Sequence, residues 1–181
     1  RRDTRFSMVF AILLALVAGS CASYYQKNLR FQQHVYEGEL SKAKSLLDKE
    51  AGSVKDKNKL LYLMNQGWVS WMLGKNQESN QYLEQADYMI EDYRKRFGYE
   101  VATLVTNPGI KPYKAEDFEK VMVNYIKAIN YLEMKQFEEA LVEARRINLK
   151  LQEINDQYKE HKNRYSDDAF AHVIMGLIYE A

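Results

Sequence analysis

Residues 60–97 read LLYLMNQGWVSWMLGKNQESNQYLEQADYMIEDYRKRF, and this stretch decides the fold. Its apolar residues recur at steps of three and four, which is the spacing of one face of an α-helix. The pattern is interrupted at Gly74-Lys75-Asn76, where small and polar residues predict a turn. The stretch therefore predicts two helices joined as a hairpin. The residues that carry the pattern are Leu60, Leu63, Met64, Gly67, Trp68, Trp71 and Met72 in the first helix, and Leu83, Ala86, Met89 and Ile90 in the second.

The same spacing extends over most of the chain. It predicts helices from Phe118 to Met134, from Phe137 to about Tyr158 and over residues 169–180, and two shorter ones on either side of Gly38. No strand pattern competes with these helices, so the predicted fold class is all-α. Residues 97–116 differ, because they hold both prolines, which interrupt a regular helix. We expect an inserted loop there, which either fills a groove of the protein or acts as a mobile lid.

The helix pairs repeat one layout: a small residue in the first helix, a turn, then a small and a large apolar residue in the second. Gly67, Leu83 and Ala86 fit this tetratricopeptide (TPR)-like pattern, and the corresponding small residues are Ala128 and Gly176. The steps from 67 to 128 and from 128 to 176 exceed the period of about 34 residues of regular TPR arrays. The sequence therefore predicts an irregular TPR-like helical-hairpin solenoid.

The predicted organisation has three parts. Residues 1–20 are a signal peptide, residues 21–58 a linker with a degenerate helical hairpin, and residues 59–181 the solenoid with its inserted loop. The last predicted helix lacks a second helix to cover Phe170, Val173, Ile174 and Leu177, and solenoids normally cap such faces. We therefore expect the chain to be truncated at its C-terminus.

The N-terminus has the pattern of an export signal. Arg1, Arg2 and Arg5 precede an apolar run over residues 6–18, which is shorter than the roughly 20 residues that span a bilayer. Ala18-Gly19-Ser20-Cys21 follows and resembles a bacterial lipobox, in which Cys21 carries the lipid. The alternatives are an ordinary signal peptide cleaved nearby and an uncleaved short anchor. Multiple acyl chains would anchor the protein stably, and Ala22 after the cysteine implies sorting to the outer membrane, facing the periplasm.

The middle of the chain resembles a family of uncharacterised bacterial TPR-like lipoproteins. The matching residues are Tyr113, Glu116, Asp117, Phe118, Glu119 and Lys120, then Asn130, Tyr131 and Leu132, and finally Glu143, Ala144, Arg145 and Arg146. Residues 167–181 are also similar to this family. The resemblance implies the fold and a location in the cell envelope, and it implies no activity and no catalytic residues.

The composition excludes several other classes of protein. With 46% hydrophobic and 28% charged residues the chain is neither disordered nor a polytopic membrane protein. A net charge of +1 gives no support for a nucleic-acid partner, and one cysteine excludes a disulfide within the chain. The three histidines have no metal-ligand spacing, and phosphate-binding and hydrolase motifs are absent from the sequence. We expect no enzymatic activity, no cofactor and no metal.

Acidic residues cluster at two predicted helix starts. Glu116, Asp117 and Glu119 form one cluster, and Glu138, Glu139 and Glu143 form the other. Carboxylates at the start of a helix interact favourably with the helix dipole, which is a structural role. The alternative is that they form a catalytic pair of acids like that of a glycosidase. Arg145 and Arg146 either bind an anionic partner, or one of them pairs with a carboxylate while the other is solvated.

Aromatic and apolar residues on the first helix of each pair are candidates for binding a protein partner, since such side chains anchor interfaces. The alternative is that they pack internally. The candidates are Leu61, Met64, Trp68, Trp71, Met122, Tyr125 and Ile129, together with Arg145 and Arg146.

These observations predict a non-catalytic envelope lipoprotein that acts as a scaffold or adaptor for another envelope protein. One alternative is an accessory protein that binds peptidoglycan or polysaccharide through Trp68, Trp71 and the acidic cluster. Another is a structural lipoprotein that oligomerises through its last helix. The sequence determines neither the partner nor the oligomeric state.

Overall fold

The computed structural model describes residues 26–97, 112–157 and 169–180, and these residues are helical apart from turns and short connections. The predicted signal peptide, Cys21 and most of the predicted inserted loop lie outside the described residues. No helix among the described residues is long and apolar enough to cross a membrane.

The helices follow one another with short connections. They are α1 (residues 26–36), α2 (Leu40–Glu50), α3 (Lys59–Met72), α4 (Asn76–Phe97), α5 (Asp117–Glu133), α6 (Phe137–Gln157) and α7 (Ala169–Glu180), with a 3₁₀ helix at Asp56–Asn58 before α3. The described residues contain no strand, so the all-α prediction is confirmed. The chain divides into two compact units, Arg1–Leu46 and Leu47–Ala181.

Within the second unit, each helix packs on the next. α3 packs on α4, α4 on α5, α5 on α6 and α6 on α7, and there are further contacts of α3 with α5 and of α5 with α7. The first helices of successive hairpins therefore contact one another as well as their own partners.

Three of the turns between successive helices have the same backbone geometry. Gly38, Gly74 and Lys135 have φ values of 74°, 70° and 59°, and each stands two residues after the end of a helix. In each turn the next N–H donates to a carbonyl five residues earlier, as in Lys75 to Ser70 at 2.9 Å and Gln136 to Tyr131 at 2.8 Å. This is the Schellman arrangement, which ends a helix with a residue in the left-handed region.

The helices α3 and α4 approach closely at Gly67. A Cβ atom at this position would lie 2.4 Å from Cδ2 of Leu83, which is itself fully buried. The predicted role of a small residue at this point is therefore confirmed. At Gly176 of α7, by contrast, a Cβ atom would meet nothing within 4 Å among the described residues.

An apolar core of the second unit lies among α5, α6 and α7. Its buried members are Val121, Tyr125, Ala128, Ala140, Ala144, Ile147, Leu151, Ile154, Ile174 and Ile178. On α7, Ile174 was expected to be uncovered but is only 3% exposed, because it packs into this core. Phe170, Val173 and Leu177 are 52–55% exposed, and of these three Phe170 packs against Tyr125 of the core.

The start of α5 is held by the residues before it. The Tyr113 N–H donates to the carbonyl of Lys57 at 2.7 Å, which ties this segment to the 3₁₀ helix. Glu116 and Glu119 form a capping box, in which the Glu119 carboxylate accepts the Glu116 N–H at 2.8 Å.

Candidate functional site

A groove with a volume of about 660 Å³ runs between α4 and the end of α5. Its lining is mostly made of amide side chains. The lining residues are Gln77, Asn80, Gln81, Glu84, Gln85, Tyr131, Met134 and Gln136.

The α4 wall of the groove carries three glutamines four residues apart. Gln77, Gln81 and Gln85 are exposed, while Leu83, Ala86 and Ile90 of the same helix are buried. Because a helix rises 1.5 Å per residue, these side chains stand in a row about 6 Å apart. We refer to Gln77, Gln81 and Gln85 as the glutamine row.

Next to the glutamine row, polar side chains on successive helical turns of α4 pair with side chains of α5. Asn76 donates to Glu133 at 2.6 Å, Asn130 donates to Asn80 at 2.8 Å, and Lys127 pairs with Glu84. We refer to these three pairs as the polar ladder. Since residue numbers rise along α4 as they fall along α5, the two helices run antiparallel.

The amides of the polar ladder are only half satisfied. Asn80 is 7% exposed and its Oδ1 accepts from Asn130, but its Nδ2 has no partner among the described residues. Asn130 is fully buried and its Oδ1 is likewise unpartnered. An unpaired buried polar atom costs about 1–3 kcal/mol.

A buried group of charges lies at the inner end of the ladder. The ammonium of Lys127, whose side chain is fully buried, lies 3.0 Å from Glu143 and 3.6 Å from Asp87 in addition to its pair with Glu84. Asp87 also pairs with Lys150 and lies 3.4 Å from Arg146. Three carboxylates and three cations from α4, α5 and α6 thus balance one another.

The pKa values follow from this balance. Burial alone raises the pKa of Asp87, but Lys150, Lys127 and Arg146 outweigh it, so the pKa lies below its ordinary value of 3.8. Burial alone lowers the pKa of Lys127, but Glu143 and Glu84 outweigh it, so the pKa is raised. Both groups are therefore charged at neutral pH and act as structural ions.

Two of the predicted binding residues are core residues. Met64 is 0% and Tyr125 is 3% exposed, and the Tyr125 ring packs against Phe170 with centroids 5.2 Å apart. The prediction that these two side chains offer an exposed surface is therefore wrong. The reason is that Tyr125 belongs to the core shared by α5, α6 and α7, while α3, which carries Met64, packs on α4 and contacts α5.

The other predicted aromatic and apolar residues are more accessible. Met122 on α5 is 38% exposed, and Leu61, Trp68, Trp71 and Ile129 are partly buried. They lie on α3 and α5, which are in contact, but none of them lines the groove.

The two arginines behave as the structural alternative predicted. Arg146 lies 3.2 Å from Glu143 on its own helix and 3.4 Å from Asp87 on α4, while Arg145 is exposed. Arg146 therefore belongs to the charge group although its side chain is 43% exposed, and Arg145 is exposed.

The acidic clusters are also used within the fold. Glu119 is 8% exposed and accepts the Tyr113 hydroxyl at 2.7 Å, and burial together with this bond raises the pKa of Tyr113. Glu143 is 4% exposed and bonded to Asn124 at 2.7 Å, which goes beyond the expected dipole interaction. Glu138 and Glu139 stay exposed in the first turn of α6.

One group of potential metal ligands occurs among the described residues, formed by His34, Glu37 and Glu39 in the α1–α2 turn. Both Glu39 oxygens are already used, by His34 Nδ1 at 2.7 Å and by Lys42 Nζ at 2.6 Å. Hydrogen bonds from Lys42 and His34 lower the pKa of Glu39. We therefore interpret the group as a local cap of the turn.

Sequence reasoning missed the glutamine row, the polar ladder and the buried charges. A signal for the charges exists, since Lys127 and Glu143 fall on the apolar stripes of α5 and α6, next to Ala128 and Ala144. The glutamines lie on the exposed face of a helix and carry no such signal.

No family model matches the chain, and no curated protein or solved structure is significantly similar to it. The function proposed below therefore rests on the residues of the chain itself.

Proposed function

We propose that the protein is a non-catalytic scaffold of the bacterial cell envelope, built from TPR-like hairpins and anchored by a lipid at Cys21. The observation that carries this proposal is the amide-lined groove between two successive hairpins. In this proposal the groove binds another envelope protein.

The shared turn supports the TPR-like interpretation. Gly38 and Gly74 are 36 residues apart, close to the period of about 34 residues of TPR repeats. From Gly74 to Lys135 the step is 61 residues and spans the segment 98–111, as expected for a repeat with an insertion. The contacts of α3 with α5 and of α5 with α7 agree with stacked hairpins.

The chemistry of the groove supports binding without catalysis. Among its lining residues Glu84 is the one carboxylate, and it pairs with Lys127. General acid–base catalysis needs a positioned group of suitable pKa, and glycoside hydrolysis needs two carboxyl groups. Amides, by contrast, offer both donors and acceptors without titrating.

Site-specific photo-crosslinking in the native bacterium tests the scaffold proposal. A photoreactive residue at Gln81 reports on the groove, and one at Trp71 reports on the surface of α3. The control is Tyr88, which is 75% exposed on α4 and does not line the groove. We expect a discrete protein adduct at Gln81 and none at Tyr88, and the absence of an adduct at all three positions would contradict the scaffold proposal.

Metabolic labelling with radioactive palmitate tests the anchor. The wild-type protein should incorporate label and fractionate with the outer membrane, whereas Cys21→Ser should lose both properties. An unlabelled, periplasmic wild-type protein would instead establish an ordinary cleaved signal peptide.

The structure gives less support to the glycan-binding alternative. Trp68 and Trp71 are partly buried, and Glu119 of the acidic cluster is engaged by Tyr113 and by the cap of α5. Sedimentation with purified peptidoglycan tests this alternative.

A further inference from the structure

We propose that the groove between α4 and α5 binds a segment of extended polypeptide, and that the glutamine row and Asn80 hydrogen-bond its main chain. This inference rests on the proposed scaffold function and specifies what the partner presents.

The first observation is the unsatisfied amide in the groove. Asn80 is more than nine-tenths buried and lines the groove, and its Oδ1 is held by Asn130 while its Nδ2 has no partner among the described residues. This Nδ2 is a donor that the fold leaves unused and almost fully shields from solvent, so it meets a ligand only when the Asn80 side chain turns toward the groove. Its complement is an acceptor oxygen such as a peptide carbonyl.

The second observation is the spacing of the glutamine row. Its members stand about 6 Å apart along α4, and an extended chain repeats every two residues, at about 6.6 Å. The mismatch over two steps is about 1.2 Å, which glutamine side chains absorb through their rotamers. Three successive two-residue units of a bound peptide can thus each face one glutamine.

The third observation is the match of hydrogen-bonding groups. Each edge of an extended chain shows an N–H and a C=O of the same residue at every second position. Each glutamine amide has two donors on nitrogen and an acceptor oxygen, so one side chain can pair with both. In the free protein Gln85 donates to the main-chain carbonyl of Gln81 in its own helix at 3.1 Å, and a bound peptide carbonyl would take the place of this acceptor.

The other wall of the groove can accommodate side chains of the peptide. Tyr131 and Met134 are partly buried and offer an apolar contact opposite the glutamines. Glu84 is 59% exposed although it pairs with Lys127, and the lining contains no cationic side chain. The groove therefore favours neutral or basic segments over acidic ones.

A glycan fits these observations less well than a peptide. Sugar rings gain much of their affinity from stacking on an exposed aromatic face, and Tyr131, the one ring in the lining, is partly buried. Glycan binding is nevertheless an outcome that the following test distinguishes.

The test begins with selection of a random linear dodecapeptide library, displayed on phage, against the full chain. The Kd of the most enriched peptide is measured by calorimetry for the wild type and for the triple variant Gln77→Ala, Gln81→Ala, Gln85→Ala. We expect the triple variant to bind at least tenfold more weakly while its thermal unfolding is unchanged, because exposed alanine is a good helix former. The control is Gln152→Ala on the exposed face of α6, which should bind like the wild type.

A modified peptide tests for recognition of the main chain. N-methylation of alternate residues removes the N–H donors of one edge and leaves the side chains in place. A peptide methylated on the edge that faces the glutamine row should bind at least tenfold more weakly. A peptide methylated on the opposite edge should bind almost as tightly as the unmodified one.

Three results would overturn the inference. They are the absence of any enriched peptide, an enriched peptide whose affinity is unchanged in the triple variant, and binding of chitotetraose that the triple variant abolishes. The scaffold proposal fails on a different result. If peptides bind in the groove but no envelope protein is crosslinked, the peptide site is supported and the scaffold function is contradicted. If crosslinks form at Trp71 alone, the scaffold function is supported and the groove is not its binding site.

Discussion

At the scale of single residues, the turn between α5 and α6 contains a residue whose backbone conformation is unfavourable for its type. Lys135 adopts φ = 59°, in the left-handed region, where the equivalent turns have Gly38 and Gly74. The left-handed conformation costs a non-glycine residue about 1–2 kcal/mol. The hairpin tolerates Lys135 because the Schellman hydrogen bonds and the packing of α5 on α6 hold the turn in place.

Lys135→Gly should stabilise the protein. We expect a gain of about 0.5–1 kcal/mol in the free energy of unfolding, since relief of the strained φ exceeds the extra entropy of glycine in the unfolded chain. Urea unfolding followed by circular dichroism measures this change. The matched control is Gly74→Ala, where a Cβ meets no atom within 4 Å, so its expected loss of about 1 kcal/mol is due to backbone conformation alone. A loss of stability in Lys135→Gly would contradict the assignment of strain.

At the scale of helices, the approach of α3 to α4 depends on Gly67. We expect Gly67→Ala to destabilise the protein by about 1–2 kcal/mol, because its Cβ would lie 2.4 Å from Leu83, whose side chain is fully buried, and overpacking outweighs the better helix propensity of alanine. Thermal and urea unfolding measure the effect.

Gly176→Ala is the control for this prediction. It lies within α7 and its Cβ would meet no atom of the described residues within 4 Å, so alanine should stabilise the helix by up to about 1 kcal/mol. Opposite signs for the two substitutions are the expected result. A stabilising Gly67→Ala would show that the two helices can separate at little expense.

At the scale of the whole molecule, the buried charges join α4, α5 and α6. Lys127→Met removes the fully buried one of the two cations that Asp87 and Glu143 share and leaves them the partly exposed Arg146, and breaking a buried pair in this way costs about 3–5 kcal/mol. We expect a loss of about 3 kcal/mol in urea unfolding. The control is Lys75→Met, which removes an exposed pair with Glu78 at 3.6 Å and should change stability by less than about 1 kcal/mol. Equal effects of the two substitutions would contradict a special role for the buried group.

The decrease of the free energy of unfolding at acidic pH should depend on Asp87. Its pKa is lower in the folded protein than its ordinary value of 3.8, so its contribution is present above about pH 4 and is lost as the pH falls through the folded pKa. Asp87→Asn should lower stability at pH 7 and flatten the decline of stability between pH 4 and pH 2. Asp156→Asn, on the exposed surface of α6, is the control and should leave the wild-type pH profile unchanged. An unaltered acid slope in Asp87→Asn would contradict this assignment.

The helices could be predicted from the sequence to within about two residues. Residues 169–180 were predicted as a helix and form α7, and the turn at Gly74 was predicted from its small and polar residues. The break between Met134 and Phe137 was predicted from the apolar spacing, but lysine gives no sign of the positive φ at Lys135, which local Schellman hydrogen bonds accompany. Local preferences therefore located the elements and their turns, and the backbone conformation at Lys135 was not foreseen.

The groove could not be predicted in this way. Periodicity assigns residues to apolar or polar faces, and it led to Met64 and Tyr125, which the packing of neighbouring helices buries. The glutamine row lies on a polar face, which is compatible with plain solvation. Only the position of α5 beside α4 makes that face the wall of a groove.

By itself the sequence determined the all-α fold, the order of the helices and the small residue that lets α3 and α4 approach, because these depend on local spacing and on residue size. Only the tertiary structure decided that Lys127, Asp87 and Glu143 meet, and that Asn80 is buried with a free donor. These contacts join residues far apart in the chain. Their energies depend on burial and on partner charges that no single helix contains.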